Sequence, residues 1–266
     1  MLKQIADVYD LLDDPAAGGH EVAKLFPSGA VSVTEVDAKG SRVDFLKIAL
    51  PGRNGRIGGG AAPTMGILGC LGGLRIPSDR PGLSSDADGA IVALACALRI
   101  VTMNSRGQQL MGDVIVTTHL CQRAVSEPHD PYPFVISPVG RREILRRLVD
   151  ADMDAMLTSS TTRGNWVLNH KGFAITPTVK EGWVLRASND LLSLMQYVTG
   201  DVPVVLPITT QDITPIENGV YHVNGIMMPA TVSKAPVVGV ALTAKMAVPA
   251  PMSRDVLVVK PQRRPR

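Results

Sequence analysis

Residues 84–107 read SSDADGAIVALACALRIVTMNSRG. Within this stretch the run Ala90–Val101 carries a single charge, Arg99, and is apolar on nearly every side. Such a segment predicts a helix over about 87–104 that must be covered by other elements. Ser84, Ser85, Asp86 and Asp88 offer oxygens that can cap its start, and Gly107 offers a stop.

The flanking segments supply the cover. Upstream, residues 2–13 carry Leu2, Ile5, Val8, Tyr9 and Leu12 at helical spacing. Val31–Val36, Val43–Leu50 and Thr64–Cys70 are rich in β-branched and aliphatic residues and predict strands. Downstream, Asp113–Thr118 (DVIVTT) has no charge after its first residue, which predicts a central strand buried on both faces. Then follow a helix at Arg141–Val149, a strand at Asp154–Thr158, a hairpin from Trp166–Leu168 and Phe173–Thr178, a helix at Leu191–Val198, and strands at Val202–Pro207 and Pro236–Leu242. Alternation of this kind predicts an α/β fold, a three-layer sandwich around a mainly parallel, mixed central sheet. One domain is expected over 1–248, with 249–266 as a basic, Pro-rich, disordered tail.

Composition agrees. A chain of 266 residues with 45% apolar and only 4% aromatic residues builds an aliphatic core. The formal charge of +3 comes from the tail, where five basic residues face one acid between 253 and 266. The body is near neutral, which argues against a nucleic-acid surface. No apolar run is long enough to span a bilayer, and Cys70, Cys96 and Cys121 form neither a CxxC nor an even set. A reduced, cytoplasmic protein without nucleic-acid or membrane partners is the expectation, with a homo-oligomer left open.

In open α/β sheets, sites form at the carboxyl ends of strands. Asp86 and Asp88 follow the third strand. His119 follows the strand at 113–118, with Glu127 and His129 beyond it. Ser159 and Ser160 follow the strand at 154–158, and Thr209, Thr210, Gln211 and Asp212 follow the strand at 202–207. Carboxylates and an imidazole from several strand ends are the donor set of a divalent metal site. Each has a structural alternative: Asp86 and Asp88 as helix caps, His119 as a core imidazole, Cys121 as a small core residue. The loop PGRNGRIGGGAAP at 51–63 lacks GK[ST] and runs from strand to strand, so it is read as a hairpin or mobile flap and not as a phosphate cradle.

Over almost the whole chain, to about Val248, the stretches GLSSDADGAIVALA, GDVIVTTHLC, NHKGFAITPTVKEG, VVLPITTQDITP and APVVGVALT resemble a bacterial domain-of-unknown-function family. More distantly, the element order is similar to the co-catalytic zinc aminopeptidases. That resemblance implies Asp86, three residues before Gly89, as a metal-bridging carboxylate. It places His119 or Gln122 near the family's Glu-Glu pair, and Ser159 or Ser160 where an Asp ligand is expected. The His-x-Asp motif expected near Cys70 is absent, as is the Glu-Glu pair.

Two functions compete. In the first, the chain is a metal-dependent hydrolase of peptide or amide bonds. Asp86, His119 and Asp212 hold a divalent ion such as zinc, Glu127 is the general base, and Asp88, Ser160, Thr210 and Gln211 meet substrate. In the second, the chain is a non-catalytic relative that binds a small amino-acid-like or peptide ligand.

Overall fold

The computed structural model describes residues 1–75, 83–127, 134–162, 164, 168–209 and 224–245. The tail expected beyond 248 lies outside these residues. So do His129, Thr210, Gln211 and Asp212.

The helix read from 84–107 is α3, Asp88–Asn104, mostly buried from Gly89 to Ala97 and half-buried beyond. With α1 (Leu2–Asp13), α2 (Gly19–Ala23) and α5 (Asn189–Thr199) it covers one face of the sheet. The other face carries α4 (Arg141–Leu148) and the short α6 (Asn224–Met227). The result is the three-layer sandwich the alternation implies.

Among the described residues the central sheet has nine strands. They are β1 (Val31–Ala38), β2 (Ser41–Leu50), β3 (Met65–Leu74), β4 (Val114–Cys121), β7 (Ala155–Thr162), β8 (Gly172–Ile175), β9 (Val179–Lys180), β10 (Trp183–Val184) and β11 (Val237–Thr243). The order is β1-β2-β4-β3-β7-β11-β9-β10, with β8 also on β11. The four middle strands, β4, β3, β7 and β11, are parallel, and antiparallel strands close both flanks. A separate ribbon pairs β5 (Val125–Glu127) with β6 (Phe134–Ile136).

Strand parity sorts the side chains. Val114, Val116 and Leu120 of β4 meet Leu46 and Ile48 of β2 in the core under α1 and α3. Ile115 and Cys121 turn the other way, with Val43, Phe45, Leu68 and Cys70, toward the α4 layer. Thr117, on that same side, donates its hydroxyl to the carbonyl of Leu148 in α4 at 2.7 Å.

Four expectations need correction. The N-cap position of α3 falls on Ala87, whose side chain makes no cap bond, and not on Ser84, Ser85, Asp86 or Asp88. The central strands run past the polar residues that looked like their ends. β4 continues through His119 to Cys121, and β7 through Ser159 and Ser160 to Thr162. Small hydroxyl residues and a neutral imidazole can pair within a ladder, so polarity alone does not end a strand.

The segment 202–207 forms no strand, only a bridge from Val205 to Ile175, because Pro203 and Pro207 lack the N–H a ladder needs. The glycine loop is no hairpin, since β4 lies between β2 and β3. The buried Asp113 carboxylate pins this loop by accepting the amides of Gly52 (2.8 Å) and Ile57 (2.9 Å). Of the predicted hairpin, the second arm forms β8, which pairs with β11, and residues 166–167 of the first arm lie outside the described residues.

Candidate functional site at the carboxyl edge of the sheet

The chain leaves β3, forms α3 and returns as β4 on one side. It then passes through α4 and re-enters as β7 on the other side of β3. The carboxyl ends of β3 and β7 therefore flank a topological switch point, the usual position of a ligand crevice in such sheets.

The start of α3 is held at that point. Gly89 approaches the ends of both strands so closely that a Cβ would stand 2.5 Å from the Ser159 carbonyl oxygen and 2.7 Å from that of Cys70. The Ser159 hydroxyl donates to the Gly89 carbonyl at 2.8 Å. Ser159 is thus committed to holding the helix.

This docking brings two carboxylates to the edge. Asp86 is buried in the 3₁₀ turn Ser85–Ala87, and Asp88 is half-buried in the first turn of α3. The Thr161 hydroxyl lies 3.5 Å from Asp88 Oδ2. Burial, and then the charge of Asp86, push the Asp88 carboxyl up to about 6, against the smaller effect of the Thr161 bond. On the opposite side of the same strand ends, the buried hydroxyls of Ser160 and Thr162 and the inward hydroxyl of Thr243 have no hydrogen-bond partner among the described residues. Thr243 pairs with Thr162 in the ladder, so these groups are neighbours. Buried polar atoms without partners are uncommon and mark a place where an incoming group could satisfy them.

His119 does not join this cluster. It lies inside β4 on the α4 side of the sheet, opposite the register shift of β3 between Gly69 and Gly73. Its exposure is 1%, and neither ring nitrogen has a hydrogen-bond partner among the described residues, Asp86 included. Its ring stacks on Phe45, centroids 5.6 Å apart. Gly72, at φ +73°, packs against the ring edge, where a Cβ would meet Cε1 at 2.5 Å. Desolvation lowers the imidazole to about 4, so it is neutral at pH 7. Glu127 sits at the end of β5 opposite Phe134, in the ribbon and not in the central sheet.

Among the described residues, no three His, Cys, Asp or Glu side chains come together to hold a metal ion. Among the described residues the edge offers two carboxylates and a set of hydroxyls, fewer than the four ligands zinc commonly takes. The partnerless hydroxyls and the bulge beside His119 were not legible beforehand. Gly69, Gly72 and Gly73 were the available signal for the bulge.

The architecture is that of the aminopeptidase-like α/β class. The cytosol aminopeptidase from Coxiella burnetii superposes with a TM-score of 0.53 at 13% identity, over 91% of this chain and 62% of that one. The bottromycin maturation enzyme BotP superposes with a TM-score of 0.51 at 12% identity, over 91% of this chain and 63% of that one. This chain therefore spans less than two thirds of either neighbour, and the likeness is one of fold. No curated protein matches the sequence. Residues 34–256 match the family described as protein of unknown function DUF1177, and the chain belongs to that family. The match runs past Val248, where the resemblance had been expected to stop.

No helix among the described residues is long and apolar enough to cross a membrane.

Proposed function

We propose that this protein binds a small amino-acid-like or peptide ligand at the carboxyl edge of β3 and β7 without turning it over. The supporting observation is the pair of carboxylates, Asp86 and Asp88, held together at the start of α3 on the carboxyl edge of the sheet. Two like charges in a part-buried site favour a cation, and a ligand ammonium supplies one together with three donors. The hydroxyls of Ser160, Thr162 and Thr243 lie on the other face of the same strand ends, where a ligand extending past the edge of the sheet would meet them. Thr210 and Gln211 remain candidates for further ligand contacts.

Calorimetric titration with leucinamide and with the dipeptide Ala-Ala, in EDTA, tests this. Binding is expected to survive the chelator and to weaken at least tenfold in Asp88→Asn. Indifference of the affinity to that substitution would remove the proposal.

The second reading is hydrolysis of peptide or amide bonds assisted by a divalent ion such as zinc. It is favoured by the same carboxylate pair and by the fold shared with an aminopeptidase. It requires ligands beyond Asp86, for which Asp212 is the candidate, and a base, for which Glu127 is the candidate. Release of product from Leu-p-nitroanilide only after addition of zinc or manganese would favour this reading over simple binding.

A further inference from the structure

A cavity lies on the face of the sheet opposite Asp86 and Asp88, between the carboxyl halves of β3 and β4 and the start of α4. It encloses about 240 Å³. Leu74, Ile144, Leu148 and Met228 give it an apolar wall. Its charged lining is of one sign, Lys39 from the β1–β2 turn and Arg141 from the first turn of α4. Gly140, the N-cap of α4, also lines it. Among the described residues no side chain caps that helix, and apart from its chain neighbours nothing stands within 4 Å of where a Gly140 Cβ would lie. The first-turn amides of α4 and their partial positive charge are thus open to a ligand. Glu143, the acid of that turn, is engaged with Arg147, Oε1 to Nη2 at 2.7 Å. The deciding feature is His119, which lines the same cavity, is 1% exposed, and has two ring nitrogens with no partner among the described residues.

We propose that this cavity is a binding site for a small monocarboxylic acid with an apolar body. Arg141, Lys39 and the α4 amides hold the carboxylate, and His119 contributes a hydrogen bond from the sheet side. A single negative charge suits one helix terminus and two cations in a small, largely apolar space. A dianion such as inorganic phosphate would lose more hydration than this lining returns. The site is separate from the Asp86–Asp88 edge and does not rest on the function proposed there.

The probes are 4-methylpentanoate and benzoate, with 4-methylpentanamide, benzamide and inorganic phosphate as comparisons. They are titrated calorimetrically into the full chain and followed by the ring-nitrogen NMR signals of His119 in the unsubstituted protein. The carboxylates should bind at least tenfold more tightly than the amides and should shift the His119 signals. Arg141→Gln and His119→Phe should each weaken binding at least tenfold, whereas Asp88→Asn should leave it unchanged. The NMR arm reads the site even if His119→Phe fails to fold. The proposal is overturned by silent His119 signals at millimolar acid, by amides that bind equally, by an unchanged Arg141→Gln affinity, or by phosphate displacing the acids.

Discussion

The rings of Phe45 and His119 stack across the β2–β4 ladder, where the two residues are direct register partners, with centroids 5.6 Å apart and planes inclined by 23°. The Arg147 guanidinium lies over the other partner, 5.2 Å from the Phe45 centroid. The imidazole is thus packed as an aromatic core residue, and its charged form is disfavoured by loss of water.

That packing sets a pH dependence. His119 titrates near 4 in the folded protein, below its ordinary 6.5. Its contribution is complete above about 6.5 and is lost as pH falls toward 4, on the order of 3 kcal/mol in all. Asp88 acts in the opposite sense. Its folded value of about 6 lies above the ordinary 3.8, so ionising it costs on the order of 3 kcal/mol as pH rises through that window. Between about pH 4 and 6 the two slopes oppose each other. Urea denaturation from pH 4.5 to 7 should show Asp88→Asn losing more stability toward acid than the parent, and His119→Phe losing less. Curves parallel to the parent for both variants would refute this origin.

Gly89→Ala should destabilise the fold by about 2–3 kcal/mol, although alanine is the better helix former by about 1 kcal/mol. The new methyl would stand under 3 Å from the carbonyl oxygens of both Ser159 and Cys70, and backbone cannot step aside cheaply. Equilibrium unfolding checks the sign, and a variant as stable as the parent would contradict it.

The β9–β10 turn contains a removable strain. Glu181 and Gly182 link the two strands with φ of +48° and +83°, the left-handed values of a two-residue hairpin. A glutamate there pays for its Cβ, whereas asparagine tolerates the conformation better. Glu181→Asn should raise stability by about 0.5–1 kcal/mol, read as a higher melting temperature in calorimetry. A lowered one would show that the Glu181 side chain contributes more than its backbone costs.

By itself the sequence determined the layers and the buried helix. An apolar surface running all round residues 90–101 has to be enclosed, and charge-free runs such as Val114–Thr118 have to lie in the middle of a sheet, whatever the rest of the chain does. It also brought Asp86 and Asp88 to the carboxyl edge, because they immediately precede that helix. Only the tertiary structure decided which polar residues share a site. Strand ends are set by pairing and not by polarity, so β4 and β7 ran past the hydroxyls and the histidine that looked terminal. Side chains then alternate faces along each strand. In β4 this turned His119 toward α4 and away from the start of α3, a parity no local pattern records until the ladder partners are known.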